Sequence, residues 1–212
     1  TQPDLGTSIL IASGGLIVAW LAGVRAKFFV YSGVAMIALL PLAISFLKPY
    51  QKSRILTFLN PERDPLGAGY QIIQSKIAIG SGGLFGKGFL NGSQSYLDYL
   101  PEKHTDFIFT LFSEEFGFFG SLFILLLYAL IISRIVRIGN MTRSNFGKLY
   151  CYSFATAFFI YVVVNMMMVL GLLPIVGSPL PIMSYGGSSM LAIMFGLGIV
   201  MSCKIYKDVP VN

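Results

Sequence analysis

The chain has 212 residues, 55% of them hydrophobic and only 11% charged, with a formal net charge of +6; soluble domains carry roughly 25% charged residues. That composition excludes an ordinary soluble enzyme and points to a membrane protein, whose backbone must satisfy its own hydrogen bonds because lipid offers none. Residues 48–115 hold seven basic and seven acidic side chains, so the positive excess lies elsewhere as a topology signal, and nucleic-acid binding is not its explanation.

A spanning helix needs about 20 mostly apolar residues. Five runs of that kind occur, at residues 5–24, 28–47, 107–133 (or from 116), 149–173 and 179–203. The fold class expected is therefore an all-α polytopic membrane protein. Arg25 and Lys27, then Arg134, Arg137, Arg143 and Lys148, then Lys204 and Lys207 fall at alternate ends of the runs, which predicts that side to be cytoplasmic. The organisation expected is two transmembrane helices in residues 1–47, an extracytoplasmic loop in 48–115 leading into a helix, and three transmembrane helices with a cytoplasmic C-terminus in 116–212. An odd number of spans puts the termini on opposite sides. With no initiator Met or signal peptide at the start, the expectation is the C-terminal half of a longer protein.

In the first run, Ser13, Gly14 and Gly15 are small enough to let helices approach closely, and Asp4 stands before the helix as a dipole-stabilising acid. The second run contains Pro41, where a kink is expected. The segment after it is too long for a mere connection. Asn60-Pro61 and Asp64-Pro65, followed by Gly67 and Gly69, are turn punctuation. Residues 70–79 place Gln71, Gln74 and Ser75 on one helical face with isoleucines opposite, which predicts a helix lying flat on the membrane surface. Residues 80–95 are glycine-rich around Lys87, without the spacing of a nucleotide-binding P-loop, and read as a re-entrant loop.

The stretch YLDYLPEKHTDFIFTLFSEEFG, residues 96–117, holds five of the nine acidic residues. An ionisable group at the mouth of a membrane helix reads as functional by default. Asp106 is the first such group, although it or Thr105 would also serve as a helix cap. With Asp106, a 3.6-residue period groups Thr110, Ser113, Gly117 and Gly120 as a small polar stripe aimed into protein. His104 reads as a polar residue near the headgroups, and Glu115 as a partner for a lysine or arginine. Beyond it, residues 133–148 read as a cytoplasmic anchor loop, Asn165 and Met166 to Met168 as helix packing, and Ser184 to Ser189 as a polar helix start after a proline-rich loop. Cys151 and Cys203 fit neither a zinc nor a redox spacing and read as packing residues.

The motifs QPDLGTS, NPERDPLGAGYQIIQSKIAIGSGG, GKGFLNGSQS, LPEKHTDFIF, EEFG and PLPIMSYGGS together resemble the SEDS family of bacterial membrane proteins, which serve shape, elongation, division and sporulation, and within it the RodA branch. The resemblance covers essentially the entire chain. It implies a ten-helix fold with both ends in the cytoplasm, of which this chain is the second half. It also implies a peptidoglycan glycosyltransferase of the bacterial inner membrane that polymerises lipid II outside the membrane beside a class B penicillin-binding protein transpeptidase, with the groove for the lipid tails shared with the other half. The aspartate of the family's HTDFIF motif is Asp106 here, which makes Asp106 the expected catalytic base. The substrate-binding candidates are Lys76, Lys87, Asp98, Lys103, His104 and Thr110; the lysines would face the pyrophosphate, with a divalent metal, Mg or Mn, as a possible helper. Close relatives often carry Glu where this chain has Asp98. The rival readings are a lipid II transporter, which would want charges near the midplane, and a scaffold that only activates the transpeptidase.

Overall fold

A computed structural model describes residues 5–46, 49–64, 67–92 and 104–208. Among them are seven α-helices and no strand: α1 (Leu5–Leu21), α2 (Ala26–Phe46), α3 (Pro49–Leu59), α4 (Ala68–Ser81), α5 (Ile108–Met141), α6 (Asn145–Val169) and α7 (Gly187–Ile205). The expected all-α architecture is what is found. By length and composition α5, α6 and α7 are long and apolar enough to cross a membrane; α1 and α2 are apolar helices of 17 and 21 residues. Asp98 and Lys103, with Asp4, lie outside the described residues.

All five apolar runs are helical, but their limits differ from those read in the sequence. The third begins at Ile108 and continues to Met141, through much of the expected cytoplasmic loop. Past a break at Gly117, its residues 118–141 run about 36 Å, enough to cross the roughly 30 Å hydrocarbon layer. Its last turns stay helical because Ile135 and Ile138 bury against Cys151, Ala155 and Val200. The fifth starts eight residues late, at Gly187. Pro179 and Pro181 have no N–H to give a helix, and the backbone there is held by side chains of other elements instead. The second run continues as helix through Pro41.

The bundle is built on α5 and α6, with α4, α1 and α7 packed around them. Phe107, Phe109, Tyr128, Phe158, Val162 and Leu180 belong to one core cluster. α2 leaves Phe28, Val30, Val34 and Ile37 exposed, as a helix that is apolar on every side does when it faces lipid or other protein. Helix α4 corrects the surface-lying expectation. Gly69, Ile72, Ser75 and Ala78 form its buried face, and Ile77 is exposed. Ser75 and Ala78, small residues three apart, let α4 lie close against α5, so docking on protein overrides the division between glutamines and isoleucines. At its start, Asp64 accepts a hydrogen bond from the Ala68 N–H at 2.9 Å, which gives the Asp64-Pro65 punctuation its capping role.

Candidate active site

Helix α5 is broken at Gly117, where φ is +66° and ψ −160°. A break inside an apolar helix frees backbone groups that lipid cannot satisfy. The glycine-rich loop after α4 takes them up. Lys87 and Gly88 donate their N–H groups to the Glu114 and Glu115 carbonyls, each at 3.0 Å, and Phe118 and Phe119 donate theirs to Gly83 and Leu84 at 2.9 and 3.2 Å. The approach leaves no room for side chains: a Cβ on Gly86 would sit 2.1 Å from the Glu115 oxygen, and one on Gly117 2.3 Å from the Gly86 nitrogen. The Lys87 ammonium then meets the Glu114 carboxylate at 2.6 Å, with the Glu114 side chain fully buried. The glycine stretch is thus a docked strap on α5. The lysine partner expected for Glu115 belongs to its neighbour.

The turn at residues 104–107 precedes α5, and three successive carbonyls in it are held from distant parts of the chain. His104 accepts from the Tyr185 N–H at 2.9 Å, Thr105 from the Ser184 hydroxyl, and Asp106 from the Asn165 amide at 2.8 Å. Asn165 donates a second bond, to the Ser178 carbonyl at 2.6 Å. Ser184 also accepts from the Leu180 N–H, and the buried Tyr128 hydroxyl donates to the Pro181 carbonyl at 2.6 Å. The proline-rich loop is therefore pinned inside the bundle, where irregular backbone is tolerated because protein surrounds it. It brings Gly177 to the aspartate: a Cβ there would lie 3.6 Å from Asp106 Oδ2. The N-cap position of α5 falls on Phe107, which makes no side-chain capping bond, one residue beyond the pair expected to cap it.

The other predicted residues divide. His104 is exposed on the same turn and borders a cavity of about 510 Å³ with Ile182, Met183 and Tyr185. Thr110 does not face a ligand space. It is fully buried, with its hydroxyl 2.8 Å from that of Ser75. Ser75 donates to the Val169 carbonyl at 2.6 Å, so Thr110 must be the donor to Ser75. The polar stripe on α5 tethers α4 and α6, with Ser113 also buried. Lys76, next to Ser75, is exposed, and its stem lies where a Gly171 side chain would be, over the C-terminal end of α6. A cation is favoured there by the helix dipole as well. Lys87 is committed to Glu114. Asn165, Ser184 and Arg54, whose guanidinium reaches the Ile175 carbonyl at 3.4 Å, were not among the site residues read in the sequence. Only the lone amide in the fourth apolar run and the serine beside two glycines hinted at the first two.

The family model described as FtsW, RodA and SpoVE cell cycle proteins matches residues 1–208. The chain is 50% identical over 207 residues to the peptidoglycan glycosyltransferase MrdB of Escherichia coli K12, covering 97% of this chain and 56% of that protein. It is 47% identical over 161 residues to the peptidoglycan glycosyltransferase RodA of Treponema pallidum, covering 76% and 37%. Among solved structures, it superposes with a TM-score of 0.78 and 36% identity on a chain described under "Structural coordination of polymerization and crosslinking by a peptidoglycan synthase complex", covering 98% of this chain and 57% of that one. The RodA crystal structure from Thermus thermophilus gives 0.61 and 27%, covering 98% and 52%. The chain thus spans about half the length of the relatives it matches.

Proposed function

The chain belongs to the FtsW, RodA and SpoVE family of cell cycle proteins, and from that membership we propose that it forms the catalytic half of a peptidoglycan glycosyltransferase acting on lipid II. The observation that carries this reading is the triple clamp on residues 104–106, which fixes the backbone of Asp106 from two other elements. Elaborate fixing of one acidic residue at a helix mouth is what general-base chemistry requires.

In the proposed step the Asp106 carboxylate takes the proton of the acceptor sugar hydroxyl. That oxygen bonds to the anomeric carbon of the donor, the bond to pyrophosphate breaks, and the polyprenyl pyrophosphate leaves with the electron pair. One displacement inverts the anomeric centre. Lys76 and Arg54 are the described cations best disposed toward the leaving group, since both touch the chain between α6 and α7 that carries Gly177. Lys87 supports the site through Glu114 instead. Among the described residues no three His, Cys, Asp or Glu side chains converge, so a Mg or Mn ion would be held there chiefly by the substrate's pyrophosphate, with at most one or two carboxylates of the protein. The proposed setting is the outer face of the bacterial inner membrane, with residues 48–115 outside and the C-terminus in the cytoplasm. A class B penicillin-binding protein would crosslink the product, and the remaining half of the enzyme would complete the lipid groove.

The test is polymerisation of purified lipid II by the full-length enzyme with its transpeptidase, comparing wild type with Asp106→Asn at matched assembly. Loss of about 10²–10⁴ in rate is expected. Undiminished glycan product would remove Asp106 from the chemistry and move the base elsewhere in the enzyme, leaving Asp106 a structural role at the start of α5.

A further inference from the structure

At the far end of the bundle from Asp106, Arg134 and Arg137 of α5 meet Lys204 of α7 and Lys207 just beyond it around one cavity of about 100 Å³. The same two arginines and Ile138 also border a groove of about 590 Å³ between α5 and α7, walled by Leu130, Leu197 and Met201. Leu130 is 56% exposed and Met201 49%, so the groove is open along the helices. No acidic side chain lines either space. Asp208, the one acid after Glu115 in the sequence, pairs with Arg143 at 4.0 Å instead.

A topology signal accounts for basic residues at this end, but not for their convergence. Arg134 and Arg137 are three residues apart on α5 and present one face, and Lys207, in the turn after α7, shares the cavity with Lys204. Arg143 and Lys148 lie at the same end and stay outside both spaces. Four cations with no counter-charge lining either space among the described residues, opening onto an apolar groove, match an anion that carries a hydrocarbon tail. We propose that this groove binds an anionic phospholipid, its phosphate among Arg134, Arg137, Lys204 and Lys207 and an acyl chain along Leu130, Leu197 and Met201. Basic pockets between membrane helices suit such headgroups, and guanidinium forks hold phosphate oxygens in pairs. A free phosphate would make no use of the apolar wall.

The test is native mass spectrometry of the full protein in detergent, titrated separately with dioleoyl phosphatidylglycerol, dioleoyl phosphatidylcholine and glycerol phosphate. Tighter binding of phosphatidylglycerol than of phosphatidylcholine is expected. The double variant Arg134→Gln/Lys204→Gln should weaken phosphatidylglycerol binding about 30-fold, whereas Arg143→Gln/Lys148→Gln should change it less than about threefold. Leu197→Trp, which fills the groove without altering charge, should also displace the lipid; the surface glutamine variants carry the test if it misfolds. Equal affinity for the two lipids, equal loss from both double variants, or glycerol phosphate binding as tightly as the lipid would each overturn the proposal. None of these readouts depends on glycan synthesis.

Discussion

Asn165 satisfies two carbonyls with one amide, and both bonds reach the segments that meet at Asp106. Asn165→Ala leaves those acceptors without their donor, at about 1–3 kcal/mol for each one that stays buried. If Asp106 is the base proposed above, turnover of lipid II should fall more than tenfold while KM moves only a few-fold, because Asn165 positions Asp106 through its backbone. Asn165→Asp keeps the shape and loses the donors, so it should behave like the alanine variant; wild-type turnover in either would show that the clamp is not needed. Thr110 gives the opposite expectation. Thr110→Val removes a buried hydroxyl bond between α5 and α4, lowering stability by about 1 kcal/mol with KM unchanged, which steady-state kinetics beside a thermal melt will separate. A raised KM would return Thr110 to the substrate site.

The break in α5 belongs to the scale of the element. Two glycines make it possible, and the strap from residues 82–88 repairs it. Glu114 is fully buried against Lys87, and a buried pair that loses one partner typically costs about 3–5 kcal/mol. Lys87→Met should therefore destabilise the protein strongly in detergent unfolding. Lys87→Met/Glu114→Leu, which removes both charges, should recover most of that loss. A harmless single variant with impaired lipid II use would instead restore Lys87 to the pyrophosphate. Gly86→Ala should be damaging for a different reason, since φ is +79° there and the new methyl would meet the Glu115 carbonyl.

Among the described residues, Asp106 stands at one end of the bundle and a cluster of basic side chains at the other. That polarity predicts an orientation. With Cys151 and Cys203 replaced by alanine, a cysteine at the exposed position Ser53 should react with a membrane-impermeant maleimide in intact cells. One at Arg143, also exposed, should react only after permeabilisation. The reverse pattern would invert the assignment of sides and place Asp106 in the cytoplasm. The exposed apolar face of α2 suits a chain that spans about half the length of its relatives, since further helices would cover it.

Apolarity, charge and turn propensity are local properties, and they were enough to determine an all-α membrane protein, its five apolar helices and its basic end; they left Asp106 divided between a helix cap and a functional acid, and only the family resemblance made it the expected base. The same local rules misplaced the start of α7, because the proline-rich loop is held by Tyr128 and Asn165 from outside itself. They turned the wrong face of α4 inward and gave the Lys87 partner's role to Glu115. Only the tertiary structure decided which carbonyl met which donor: Asn165 lies 59 residues from Asp106, and Ser184 lies 79 from Thr105. The periodicity of a single helix carries no information about such pairings. They are fixed by the requirement that every backbone group freed by a break or a loop inside the membrane find a partner in the protein.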